Sequence, residues 1–322
     1  MTSLDWRPTA TLEHLRQRAT VLSEIRAFFA ARDVLEVETP LLTSTTVTDP
    51  HIESIKCAVT VRATDESWYL QTSPEYFMKR MLAAGSGPIF QICKSFRNNE
   101  IGRHHCPEFS MVEWYRIDFD HNDLMDEVDE LLNKILSLPT AQRLPYGELF
   151  AHYVGVDPHT ATLSSLEERV TALDIGIDFA DAERDFFLDL LWSHLVQPQL
   201  GFDRPVFVYD FPVCQAALGR IREGNPRVAE RFEVFIEGME IGNAYHEELN
   251  PQALQKRFEN DLADRLNRGL PSIEIDPYLL AAQREGLPPC AGISIGIDRL
   301  IMVRTGTKKI EQTLSFAPWL FE

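Results

Sequence analysis

The chain has 322 residues, of which 44% are hydrophobic, and its 49 acidic side chains against 31 lysines and arginines give a formal net charge of −18. That is enough chain to bury a core in one large domain or two modest ones, while an acidic balance with no lysine- and arginine-rich stripe disfavours a nucleic-acid platform. No apolar run approaches a membrane span, and the amino terminus lacks the basic-then-apolar pattern of a signal peptide, so a cytoplasmic protein without a membrane partner is expected.

Leu15, Val21, Leu22, Ile25, Phe28 and Phe29 recur at helical spacing through residues 11–33, and VLEVETP (34–40) then alternates apolar with acidic residues before a proline. This predicts a helix running into a half-buried strand. SWYLQTS (67–73) reads as a strand, and PEYFMKRMLAAG (74–85) as a helix opened by proline and closed by glycine. PIFQICKSFR (88–97) and PEFSMVEWYRI (107–117) predict two strands enclosing a polar loop. Leu124, Val128, Leu131, Leu132 and Ile135 form one apolar stripe of a surface helix over 122–138. A small, mostly helical insertion is expected at about 147–200. PVFVYDFP (205–212), RFEVFIEGMEIGNAYHE (231–247) and GISIGI (292–297) read as strands, with a long helix over 251–269 before the last and a terminal helix, IDRLIMVRTG (297–306), after it. Neighbouring runs of strands, not strict alternation with helices, point to an α+β architecture with an antiparallel sheet. No repeat or low-complexity tract divides the chain, so one domain over residues 1–322 is expected. The five cysteines, Cys57, Cys93, Cys106, Cys214 and Cys290, contain no C-x-x-C pair; this suits a reducing compartment and offers no cysteine framework for zinc.

Three distant segments carry unusual combinations. FRNNEIGRHHCPEF (96–109) sets an arginine, carboxylates and two adjacent histidines between two strands. GISIGIDRL (292–300) brackets a strand with glycines, which allow a ligand close to the backbone, and follows it with Arg299 at a helix start. VLEVETP ends in Pro40. In this order the three segments resemble motifs 1, 2 and 3 of the class II aminoacyl-tRNA synthetase catalytic core. TSPEYFMKR (72–80), RFEVFIEGMEIGNAYHEELN (231–250) and AGISIGIDR (291–299) are similar to the lysyl-tRNA synthetase branch. The likeness covers nearly the whole chain apart from the insertion.

The resemblance implies an α+β core, an antiparallel sheet flanked by helices. Because the motif 1 helix begins almost at the first residue, the expectation is a catalytic domain without the anticodon-binding OB domain, and without tRNA as partner. That shape, with SPEY, VEWYR and YHE, resembles the truncated lysyl-tRNA synthetase paralogues that activate (R)-β-lysine and pass it to a lysine of elongation factor P. Motif 1 in this class forms a homodimer interface.

By the same resemblance, ATP is co-substrate. Arg97 bridges the substrate carboxylate and the α-phosphate, and Arg299 holds the γ-phosphate end. Asn98, Asn99, Cys106, Ile241 and Gly296 belong to the ATP site, His105 contacts the triphosphate and Phe109 stacks on adenine. Glu240 is the candidate ligand for Mg2+, an ion that keeps several waters and needs few protein groups. Two anions must meet at a pentavalent phosphoryl group, so positioning and positive charge carry the catalysis. A substrate with two amines needs at least two acceptors. Glu75 is expected at the amine near the reacting carboxylate, Glu247 with the Tyr115 hydroxyl at the distal ammonium, and Ser73, Pro74 and Asn243 nearby. Ser294, where lysyl-tRNA synthetases carry glycine, is expected to set α- against β-amino-acid preference.

Two departures stand out. The family's adenine-contacting glutamate falls on Asn99, with Glu100 one residue out of register and, on a strand, turned to the opposite face. An ATP-contacting asparagine is replaced by Cys106, which predicts weaker ATP binding. With Ser294, these departures keep two alternatives open: adenylation of α-lysine or another amine for a different acceptor, or a non-catalytic regulatory paralogue.

Overall fold

The computed structural model describes residues 6–176 and 182–317. Helix α1 (Leu12–Ala30) begins where the Thr11 hydroxyl accepts from the His14 amide, and buries Val21, Ile25, Phe28 and Phe29. The motif 1 strand β1 is shorter than predicted: only Leu35–Glu36 enters a ladder, parallel to Ile89–Phe90. Strands β2 (Leu42–Thr43), β3 (Lys56–Val61) and β4 (Thr64–Leu70) form a separate sheet in the order β2-β4-β3. Of these the sequence reading foresaw only β4.

Helix α2 (Glu75–Ala83) leads to β5 (Ile89–Phe96) and β6 (Glu108–Ile117), paired antiparallel as predicted. Helix α3 (His121–Leu136) starts in a capping box between Asp120 and Asp123 and stops at Ser137, which takes the left-handed conformation. Its predicted stripe is fully buried against the sheet. The insertion is helical: α4 (Tyr146–Val154), α5 (Leu163–Thr171) and α6 (Arg184–Leu191), the last continuing through a π-turn. Residues 177–181 of the predicted insertion lie outside the described residues. These helices close a second apolar cluster around Tyr146, Phe187 and Trp192.

Strand β7 (Gln142–Pro145) runs parallel to β8 (Val206–Pro212). Then come β9 (Ile221–Arg222), β10 (Val228–Ile236) and β11 (Met239–His246). Asn250 caps α7 (Pro251–Asn267) and Asp276 caps α8 (Pro277–Gly286), each with proline at the first helical position. Strand β12 (Cys290–Gly296) runs straight into α9 (Ile297–Thr305).

Among the described residues the main sheet has nine strands in the order β1-β5-β6-β12-β11-β10-β8-β7, with β9 on β10. The β1/β5 and β7/β8 pairs are parallel and the rest antiparallel. The predicted antiparallel α+β fold therefore holds, with parallel strands at both edges that no periodicity announced. Helices α1, α3 and α9 bury one face, through Phe29, Leu131 and Ile301 among others. The opposite face of the central strands is left to line a cleft. Among the described residues no helix is long and apolar enough to cross a membrane.

Candidate active site

Register places one row of polar side chains across the cleft floor: Glu113 on β6 pairs with Ser294 on β12, Ser294 with Asn243 on β11, and Asn243 with Glu233 on β10. A parallel row sets Tyr115 against Gly292 and Gly292 against Tyr245. Alternation along each strand keeps both rows on one face. Above them lies a cavity of ≈ 360 Å³ that motif 2, motif 3 and α2 close from the sides.

Of the predicted substrate residues, Ser73, Glu75, Tyr115, Asn243, Glu247 and Ser294 all line this cavity. Pro74 does not. Its carbonyl accepts from the Phe77 and Met78 amides, so it opens α2 and sets the direction of its two neighbours.

Tyr115 and Glu247, expected together at the distal ammonium, each hold a different partner in the free protein. Tyr115 Oη donates to Glu113 Oε1 at 2.7 Å, and Ser73 Oγ donates to Glu113 Oε2 at 2.8 Å. Glu247 is 1% exposed, and its Oε2 lies 2.6 Å from Lys79 Nζ, which also reaches Glu75 Oε1 at 2.6 Å. The pocket end is thus a box of three carboxylates around one buried lysine. Burial alone would lower the Lys79 ammonium, but Glu247 and Glu75 outweigh it and hold the charge in place. Burial, reinforced by the neighbouring Glu75 charge, pushes Glu113 up to about 7 and Glu247 up to about 8. Three negative charges beside one positive are too many for a low-dielectric site, so the box retains a proton near neutrality.

Glycine at position 292 makes the box possible. A Cβ there would stand 2.3 Å from the Tyr115 ring and 3.0 Å from Glu247 Oε1. Gly292→Ala is therefore expected to push the ring off Glu113 and cost roughly 1–3 kcal/mol by overpacking. Urea unfolding would read this, and unchanged stability would contradict the packing described.

At the other end, Arg97, His105, Cys106, Phe109, Glu240, Ile241, Gly296 and Arg299 line the cavity as predicted. The Arg97 guanidinium lies 5.2 Å from the Phe109 ring centroid, its Nη1 is 3.8 Å from Glu100, and its Nε is buried without a hydrogen-bond partner. An unspent buried donor of this kind suits an incoming anion. Arg299 donates to two backbone carbonyls, His104 at 3.2 Å and Glu240 at 2.6 Å, and among the described residues no carboxylate pairs with it. Burial, with Arg299 next, lowers the His105 imidazole and favours its neutral form. Among the described residues no hydrogen bond or ion pair engages the Glu240 carboxylate, so this residue could hold a hydrated cation.

Asn98 and Asn99 do not line the cavity. Their amides donate to Glu53 Oε1 and Oε2, each at 2.6 Å. The register argument for Glu100 fails because β5 ends at Phe96: Asn99 sits in a turn with φ 60°, and Glu100 comes round into the cavity. Alternation between strand faces says nothing past the last ladder residue. Cys106 is 1% exposed, donates to the Glu108 carbonyl, and is pushed up to about 12 by burial, which makes it a packing thiol and not a nucleophile.

Sequence reasoning missed Glu113, Lys79, Arg231 and Glu233. Glu113 was accessible in principle, since it shares a strand face with the predicted Phe109 and Tyr115. Lys79 stands four residues after Glu75, one helical turn on. Arg231 Nε donates to Asn243 Oδ1 at 3.2 Å and its Nη1 to the Gln215 carbonyl at 2.7 Å, which orients the Asn243 amide. Glu233 pairs with Arg231, and burial pushes it up to about 7.

A family model described as tRNA synthetases class II (D, K and N) matches residues 1–319. The chain is similar to an elongation factor P (R)-beta-lysine ligase from Vibrio vulnificus, 48% identical over 316 residues that cover 97% of this chain and 98% of that protein. Relatives with the same name come from Vibrio cholerae, 48% identical over 98% of each chain, and Salmonella dublin, 45% identical over 97% of each.

Proposed function

Since the chain belongs to the class II tRNA synthetases (D, K and N), we propose that it joins (R)-β-lysine to ATP as the β-lysyl-adenylate, releasing pyrophosphate, and transfers the β-lysyl group to the ε-amine of a lysine on elongation factor P, releasing AMP. The observation that carries this reading is the polarity of one cavity. At one end stand Arg299, which pairs with no carboxylate among the described residues, and Arg97, whose one carboxylate contact is Glu100 at 3.8 Å; at the other is a carboxylate box poor in positive charge. The names of relatives at 45–48% identity over almost the whole chain support it.

In this reading Arg97 draws the substrate carboxylate and the α-phosphate together, and Arg299 holds the distal phosphates. His105, held neutral, donates or accepts at the triphosphate without adding charge. Glu240 would hold Mg2+, an ion that would supply neutralising charge to the phosphates. The ammonium groups enter the box of Glu75, Glu113 and Glu247; Lys79 cancels one negative charge, and the proton that the box retains leaves as the second ammonium enters, so that two negative charges face a doubly aminated substrate. Asn243, fixed by Arg231, and Ser73 orient its backbone. The exposed Leu35 and Leu41 around the motif 1 strand are the apolar positions a homodimer would cover, and the acceptor is a protein lysine in place of tRNA.

Intact-mass spectrometry of elongation factor P after incubation with this protein, ATP, Mg2+ and either (R)-β-lysine or α-lysine tests the reading. A gain of one lysyl residue, larger with β-lysine, is expected. No gain with a competent partner, despite pyrophosphate exchange, would assign a different acceptor. Ser294 stands between Glu113 and Asn243, so its side chain shapes the floor under the substrate's amine-bearing carbon. Ser294→Gly is expected to shift the ratio of kcat/KM values towards α-lysine by roughly 10-fold or more, the worth of a small wall group. An unchanged ratio would remove Ser294 from the specificity argument.

A further inference from the structure

On the other face of the sheet, His121, Glu230 and His246 bring one ligand atom each to within 4.8 Å of one another. His121 is the first residue of α3; Glu230 and His246 stand one residue beyond the paired Arg231 and Tyr245 on β10 and β11. Since Arg231 and Tyr245 face the cleft, alternation turns Glu230 and His246 to the back, under α3.

Two observations mark this group as more than a hydrogen-bonded cluster. The His121 ring is 3% exposed and its Nδ1 has no hydrogen-bond partner, an unusual state for a buried nitrogen. His246 Nδ1 meets Glu230 Oε2 at 2.7 Å, the carboxylate–imidazole contact that also accompanies metal-bound histidines.

We propose that His121, Glu230 and His246 form a binding site for a divalent transition metal, zinc by preference, that clips the first turn of α3 to the β10–β11 hairpin. Two imidazoles and one carboxylate suit zinc, whereas magnesium and calcium take oxygen ligands. Tetrahedral zinc holds its ligand atoms about 3.3 Å apart, so binding closes the spread of up to 4.8 Å between the groups and replaces the 2.7 Å contact between His246 and Glu230. Arg220 Nε at 3.8 Å and Arg222 Nη1 at 3.6 Å from Glu230 weaken the carboxylate's share, and Arg222 is itself turned towards Asp210 at 2.5 Å. The imidazoles therefore carry the affinity. The hairpin presents Asn243 and Tyr245 to the cleft, so an ion here stiffens the wall of the substrate pocket from behind.

Cobalt and zinc titrations of chelator-treated protein without nucleotide test this, read by the cobalt visible bands and by a competing chromophoric chelator. One equivalent bound, with a raised melting temperature, is expected. His121→Asn or His246→Gln should weaken binding at least tenfold, while Glu240→Gln, which removes the cation ligand in the cleft, should leave it in place. Binding lost with Glu240→Gln and kept in the histidine variants would overturn the proposal. Should a histidine variant fail to fold, X-ray absorption at zinc in the unaltered chain decides: two nitrogen ligands of imidazole type support the site, and an all-oxygen shell overturns it.

Discussion

Arg97→Ala will lower β-lysine-dependent pyrophosphate exchange by about a thousandfold or more, the range seen when a phosphoryl-transfer site loses its arginine. The size follows from what Arg97 lacks in the free protein. Its Nε is buried with no partner, and its nearest carboxylate, Glu100, is 3.8 Å away. Almost none of its hydrogen-bonding capacity is spent before two anions arrive, so nearly all of it is available to the transition state. For the same reason folding should hardly notice the change, because among the described residues the weak Glu100 pair and the ring contact with Phe109 are the side-chain interactions it surrenders. Arg97→Lys restores the charge but not the planar fork and should recover only a small part of the rate. Exchange above a tenth of the original in Arg97→Ala, with the melting temperature unchanged, would move the carboxylate–phosphate clamp to another residue.

How far the chain disclosed this site depends on the range of the forces involved. The apolar stripe of α3 and the apolar-rich runs of β5 and β6 are local patterns, and both formed as the helix and the strands that were read. Arg299 follows a glycine-bracketed strand into a helix, so its place at the cleft follows from a few adjacent residues. Asn99 and Glu100 went wrong over one residue, because where a strand ends is set by the turn beyond it, and that turn is tied to Glu53 from another part of the chain. Lys79 and Glu247 are 168 positions apart in number, and their contact depends on Gly292 admitting Tyr115 beside them, a condition visible only after three strands are aligned. The parallel edge strand β7 escaped notice because it is four residues long and half exposed, without a period to read.

Lys79→Met tests the charge balance of the box, and the sign of its pH dependence is fixed by the groups present. Glu113 and Glu247 sit at about 7 and about 8, above the ~4.3 of a glutamate in the unfolded chain. A raised carboxyl contributes stability that is present in full at low pH and is lost as pH climbs from the unfolded value through 7 and 8. The unaltered protein should therefore lose stability from pH 5 to pH 8 on account of these two groups. Removing Lys79 takes away the one cation that permits them to ionise, and stranding buried charge costs roughly 3–5 kcal/mol. The loss should be near that figure at pH 8 and much smaller at pH 5, where the protons already sit on the carboxyls. Saturating β-lysine should restore more stability to the variant than to the unaltered chain, since its ammonium groups replace the missing charge. Denaturant unfolding at the two pH values, with and without β-lysine, reads all three expectations. A pH-independent loss would mean that Lys79 matters only for the space its stem fills, and a loss larger at pH 5 would reverse the ionisation assigned to the box.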